Sequence, residues 1–336
     1  MDGSPQPLPD FADVLAAAAR IAPHAHVTPV LRSRSLDALA GAELHLKAEH
    51  LQRVGAFKFR GACNAVRALS DAEAAGGVVT HSSGNHGAAL ALAARDRGVP
   101  CHVVVPEGAV RSKLVAIEAY GATLHRCAPT IAAREAMCDQ VQRATGAVLV
   151  HPYADGNVIA GQATAALELL NACRQPGGNP SGNRMLDALI VPVGGGGLAS
   201  GSALAAAALA PHCKVYAAEP AGAADAFASL RGGKRVTELV PDTLCDGLRG
   251  TLGEPNFELL NHDDVEALVV DDAQIVEAMR LLFSRLKQVI EPSSATVLAA
   301  LLAHRERFAG MRVGVVLSGG NVDLDAVGAL FAGHRA

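Results

Sequence analysis

The chain has 336 residues, half of them hydrophobic, and a formal net charge of -4. That length suits one large domain or two medium ones. The acidic balance, 3% aromatics and absence of tryptophan give neither the basic footprint nor the stacking platforms that nucleic-acid binding uses.

Seven scattered cysteines, with no Cys-x-x-Cys pair, read as reduced thiols rather than a disulfide frame or metal cluster. Residues 1–10 are proline-rich and lack the basic and apolar stretches of a secretory signal. The most apolar runs, such as 203–210, fall well short of the ~18 residues a membrane helix needs. The expectation is a cytoplasmic protein that handles small metabolites, with neither membrane nor nucleic acid as partner.

In chain order, Gly55-Ala56-Phe57-Lys58-Phe59-Arg60-Gly61 sets a lysine between two aromatic rings. Residues 77–81 read as a strand that ends in the turn Ser82-Ser83-Gly84-Asn85-His86-Gly87, and 88–97 as a helix. A strand at 101–105 closes on Pro106; a helix at 112–120 ends at Gly121, a C-cap residue. Short strands follow at 122–126 and 148–151, and 175–183 is a Pro/Gly/Ser/Asn loop. A second series begins with a strand at 189–193 that runs into Gly194, Gly195, Gly196 and Gly197. A helix at 199–210, a strand at 214–218 ending at Glu219, and a last strand at 312–317 ending at Ser318 complete it. This alternation predicts a parallel α/β architecture with ligands beyond the carboxyl ends of the strands. Two lobes are expected: a large one from 1–75 and 155–336, and a small mobile one from 76–154.

Three segments point to chemistry. Desolvation lowers a lysine pKa, and a neutral amine attacks an aldehyde; the alternative for Lys58 is a surface lysine on an amphipathic helix. Four glycines can offer successive N–H groups to an anion, helped by the dipole of the following helix; the alternative is a tight connection without a ligand. Ser82 to Gly87 offers hydroxyl and amide donors at a strand end, or is an ordinary turn. Together the three could hold the aldehyde, phosphate and ring oxygen of pyridoxal 5'-phosphate. A nicotinamide-binding fold stays open as a rival, since Glu219 lies about where an acidic residue would close its second strand.

The segments resemble the fold-type II pyridoxal phosphate enzymes, the tryptophan synthase β-like group, and within it the serine racemases and serine/threonine dehydratases. Further matching segments are Thr28-Pro29-Val30, Lys113-Leu114, Ala119-Tyr120-Gly121-Ala122, His151-Pro152, Val158-Ile159-Ala160-Gly161-Gln162, Glu291-Pro292-Ser293 and Leu317-Ser318-Gly319-Gly320-Asn321. The resemblance implies that Lys58 bears the cofactor and that Phe57 packs on its ring. It gives the phenolic oxygen to Asn85, the phosphate to Gly194, Gly195, Gly196 and Gly197, and the pyridine nitrogen to Ser318. A neutral hydroxyl at that nitrogen makes a weaker electron sink than a carboxylate would, which favours loss of a β leaving group. Ser82, Ser83, Gly84, Asn85 and His86 would take the substrate carboxylate, with Ser83 at the racemase acid/base position.

By the same resemblance, Glu219, Ala223 and Asp225 would hold Mg²⁺ or Ca²⁺, and Arg134 matches an arginine that meets a dicarboxylate ligand. Tyr120, Lys287 and Asn321 match nucleotide-contacting positions, whereas Val54 and His26 do not. Where the family often has Thr-Gly-Ser-Phe-Lys, this chain has Val54-Gly55-Ala56-Phe57-Lys58. The expected activity is β-elimination from L-serine or L-threonine, with serine racemisation and 3-hydroxyaspartate dehydration as alternatives, in a homodimer. Rivals from other classes are a nicotinamide dehydrogenase and a cofactor-binding sensor without catalysis.

Overall fold

A computed structural model describes residues 8–109, 111–174 and 185–333. The loop read at 175–183, and most of the segment 1–10, lie outside the described residues. The strands are β1 (Val30–Leu31), β2 (Glu43–Ala48), β3 (Val78–Thr80), β4 (Cys101–Pro106), β5 (Thr123–Cys127), β6 (Val148–Leu149), β7 (Ala188–Pro192), β8 (Lys214–Pro220), β9 (Glu266–Val270) and β10 (Arg312–Leu317). They form a six-stranded sheet in the order β1-β2-β10-β7-β8-β9 and a four-stranded sheet in the order β5-β4-β3-β6. Every pairing is parallel except β1 with β2. No helix among the described residues is long and apolar enough to cross a membrane.

The central strands of the large sheet are buried on both faces, as helix-covered parallel strands must be. Every residue of β7 and β10 is buried. Ile190, Val315 and Leu317 pack into one apolar cluster, while Leu189, Val191 and Val316 join the cluster on the other side.

Several expected strands are present with shifted ends. β6 spans two residues rather than four, and β8 runs on to Pro220, so Glu219 lies within a strand. β1, β2 and β9 lie outside the strands expected from sequence.

Two features orient the helix Lys58–Ala68. It crosses the helix Gly156–Cys173 so closely that a Cβ on Gly161 would lie 2.6 Å from the Gly61 Cα. Beside this crossing, the fully buried Arg60 bonds Glu49 through Nε at 2.7 Å and Nη2 at 2.8 Å. It also bonds Glu168 through Nη1 at 2.7 Å and Nη2 at 2.8 Å. Lys47 completes the group through Thr28 O at 2.7 Å and Glu168 Oε2 at 2.5 Å. Removing one member of such a buried set costs about 3–5 kcal/mol, because the partner charge is left stranded. The network fixes the first turn of the helix that Lys58 opens.

Candidate active site

Segments that follow two strands take hold of Lys58 and its neighbours. The loop after β10 takes hold of its chain: Phe57 N–H donates to Ser318 O at 2.9 Å, and Ala56 bridges Gly319. The segment after β6 takes its amine: Lys58 Nζ donates to Pro152 O at 2.9 Å. The ammonium also lies 5.1 Å from the centroid of the Phe57 ring. Although the residue as a whole is only half-buried, its amine end is enclosed, and burial lowers the lysine pKa to about 8 against the opposing pull of Glu291. A substantial neutral fraction is therefore present near neutral pH, as attack on an aldehyde requires.

The glycine loop joins β7 to the helix Gly197–Leu209, with Gly196 in the left-handed region at φ 97°. Close neighbours crowd the loop. A Cβ on Gly195 would lie 2.3 Å from the Tyr153 ring, one on Gly194 2.9 Å from Leu248 Cα, and one on Gly196 2.7 Å from Asn256 Cβ. The glycines thus admit neighbours that any side chain would exclude.

Ser82, Ser83 and Gly84 form the turn between β3 and the helix Asn85–Arg97, all half-buried. Asn85 is held within a side-chain network. Its Nδ2 donates to Glu291 Oε1 at 3.0 Å and Oε2 at 3.2 Å, and its Oδ1 accepts from Asn321 Nδ2 at 2.9 Å. Asn321 Nδ2 also donates to Val54 O at 2.7 Å, tying the network back to the segment before Lys58. Ser318 is buried at the end of β10.

A row of histidines lines the small-sheet side. The His81 and His151 ring centroids lie 5.2 Å apart, and His151 stands edge-on to Tyr153 at 4.5 Å. His151 Nδ1 accepts the Ala154 N–H at 3.0 Å, so the ring proton sits on Nε2. Burial pushes His151 down to about 3, with the charges of His81 and Lys58 acting the same way. His86, fully enclosed against Val150 O, is likewise held well below the ordinary imidazole range by burial and then by Lys58. The row is neutral at physiological pH. His81 is lowered by burial, with Arg134 acting the same way and Glu135 opposing it.

The chain matches the model of the family described as "Pyridoxal-phosphate dependent enzyme" over residues 21–319. It belongs to that family. It is 46% identical over 318 residues to the β-hydroxyaspartate dehydratase of Paracoccus denitrificans, covering 95% of this chain and 98% of that one. It is 44% identical over 319 residues to the serine racemase of Dictyostelium discoideum, covering 94% and 95%. The structure of maize serine racemase superposes with a TM-score of 0.90 at 42% identity, covering 98% of both chains. Within the family, the chain falls in the group of serine racemases and β-hydroxy amino acid dehydratases.

The residues present suit the family's cofactor: an enclosed amine of lowered pKa, a glycine loop at a helix N-terminus, and a buried serine whose carbonyl holds the residue before the lysine. Pyridoxal phosphate, once bound, supplies the electron sink for bond breaking at the substrate α-carbon. The nicotinamide reading is thereby replaced. Glu219 is not a ribose-binding acid at an open strand end; it is buried, with Oε2 accepting from Ala226 N at 3.2 Å and Oε1 from Phe227 N at 2.5 Å.

The nucleotide-matching positions each have a partner of their own. Asn321 belongs to the Asn85 network, Tyr120 lies under the Arg95 guanidinium, and Lys287 Nζ bonds Ser284 O at 2.6 Å. Sequence reasoning missed Tyr153, which packs on the glycine loop. Its position directly after His151-Pro152 was the available signal.

Proposed function

We propose that this enzyme dehydrates 3-hydroxyaspartate, releasing ammonia and a 2-oxo acid. The observation that carries this reading is Arg134. It lies on the helix Ile131–Thr145, its charge reaches His81, and its Nε is buried with no hydrogen-bond partner. A guanidinium with unspent donors, acting on a neutral histidine, suits a second carboxylate, taken bidentately. L-Serine and L-threonine, the first candidates from sequence, bring no such group. The 46% identity to a protein named β-hydroxyaspartate dehydratase supports the same choice.

In this reading the turn Ser82–Gly84, at the N-terminus of the helix Asn85–Arg97, takes the α-carboxylate. Lys58 removes the α-proton, and the electron pair left behind forms the Cα–Cβ double bond as the β-oxygen departs. That oxygen takes up a proton to leave as water, and the released enamine hydrolyses to the 2-oxo acid and ammonia.

The test is the ratio of kcat/KM for 3-hydroxyaspartate over serine. Arg134→Ala should lower it by about tenfold or more, the scale of one charge-assisted hydrogen bond. An unchanged ratio would assign Arg134 to the surface and favour monocarboxylic substrates.

The acid pair supports a divalent cation, Mg²⁺ or Ca²⁺, held by Glu219, Asp225 and the carbonyl of Ala223. Both carboxylates are buried, and among the described residues neither pairs with a cation. Burial pushes Glu219 up to about 8, with Asp225 adding to it, and pushes Asp225 up to about 6. A doubly charged ion would relieve both. A chelator should therefore lower the melting temperature and activity together, and added Mg²⁺ or Ca²⁺ should restore them. If thermal scans and turnover ignore the chelator, the pair is simply protonated.

A further inference from the structure

One short segment, residues 252–256, lies between the acid pair and the glycine loop. At one end, Asp225 Oδ2 accepts the Leu252 N–H at 2.8 Å, and Arg235 Nη1 donates to Leu252 O at 3.1 Å. The next N–H, from Gly253, donates to Gly195 O at 3.1 Å. Beyond it, the fully buried Asn256 gives Nδ2 to Tyr153 O at 3.0 Å and to Ser200 Oγ at 3.3 Å. Tyr153 is the residue whose ring covers Gly195, and Ser200 lies in the first turn of the helix that the loop opens.

The segment also fits against the loop without slack. A Cβ on Gly196 would meet Asn256 Cβ at 2.7 Å and Leu252 Cδ2 at 2.9 Å, and one on Gly253 would meet Asn256 Oδ1 at 2.4 Å. Close-packed groups of this kind transmit displacement rather than absorb it.

We infer that residues 252–256 are a strap through which cation occupancy at Glu219 and Asp225 sets the grip of the glycine loop on the cofactor phosphate, with Asn256 as its positioning residue. Without a cation nothing ties the Asp225 carboxylate to Glu219, and a shift of Asp225 carries Leu252 with it. Gly253 moves next, then Gly195, whose carbonyl Gly253 holds. A bound cation fixes Asp225 and hence the loop. The coupling is reciprocal, so a phosphate in the loop raises cation affinity by the same factor. This inference rests on the cation reading above.

The experiment follows cofactor loss from the holoenzyme, in chelator or in Ca²⁺, after reconstitution with pyridoxal phosphate or with pyridoxal, which lacks the phosphate. Calorimetry on the same samples records Ca²⁺ uptake. Ca²⁺ should slow the loss of pyridoxal phosphate by about fivefold or more, the lower range of coupling between sites, and leave pyridoxal loss unchanged. Asn256→Ala should still take up Ca²⁺, while its cofactor loss becomes insensitive to it. Should that variant not fold, Asn256→Ser carries the same expectation, and the comparison of the two cofactors stands on the wild type alone.

Absence of Ca²⁺ uptake would overturn the cation reading and the strap together. Uptake with no effect on cofactor loss, or with an equal effect on pyridoxal, would overturn the strap and leave the cation reading standing. Full coupling retained in the folded Asn256 variant would overturn the assignment of Asn256.

Discussion

Lys58→Ala is expected to reduce turnover to background and to remove the protein-bound absorbance of the cofactor. One amine is asked to do two things, to hold the cofactor and to move the α-proton, so no neighbouring group can replace half of its role. Lys58→Arg should be equally inactive, because it keeps the positive charge but offers no neutral nucleophile. The pH dependence separates this account from a merely structural lysine. Burial lowers the Lys58 pKa from the ordinary lysine value to about 8. The neutral fraction therefore grows about tenfold per pH unit below that value and levels off above it. Capture of pyridoxal phosphate by the stripped protein should therefore rise with pH and flatten near 8. A rate that kept climbing toward 10.5 would mean that the amine is solvated. Retained turnover in Lys58→Ala, with an unshifted cofactor spectrum, would refute the assignment outright.

Sequence reasoning located β3, β4, β5, β6, β7, β8 and β10, most of them apolar runs that end in Gly, Ser or Pro turns. β2 escaped because His45 and Lys47 interrupt its apolar run, although both are buried. Much of their satisfaction is remote: Lys47 bonds Glu168, 121 residues on, and His45, besides Glu43 at 2.9 Å, lies 3.3 Å from the Arg312 guanidinium. A polar residue satisfied at that range leaves no local trace of its burial. The glycine loop was legible as a cradle, but not as a seat for Tyr153 and Asn256, because glycine content records that space is needed and not what fills it. The Asn85 network shows a similar limit. Asn85, Glu291 and Asn321 each stood out within motifs, yet the bonds from Asn85 to the other two span 206 and 236 residues. Arg134 was visible only by resemblance; its relation to His81 came from the fold.

Ser83→Ala should separate two chemistries that share Lys58. Racemisation must take the α-proton from one face of the substrate and return a proton to the other. A single amine cannot reach both faces, so a second carrier is needed, and Ser83 is the residue we assign to it. Its hydroxyl lies in the half-buried turn after β3, on a different sheet from the β10 loop that anchors Phe57 and Lys58. Dehydration of an L-substrate asks less of this position, since Lys58 alone can remove the α-proton and the product has no α-hydrogen stereochemistry to restore. Any serine racemase activity should fall by more than about a hundredfold in Ser83→Ala, the usual scale for loss of an acid–base group. Dehydration of 3-hydroxyaspartate or L-serine should fall by much less. Chiral chromatography of the amino acid and a 2-oxo acid assay, run on the same reaction, would read both. Equal losses would mean that Ser83 positions the substrate carboxylate with Ser82 and Gly84. A racemase rate that survived the substitution would require a different proton carrier on that face, and the neutral His81 and His151 rings at the same cleft would be the next groups to replace.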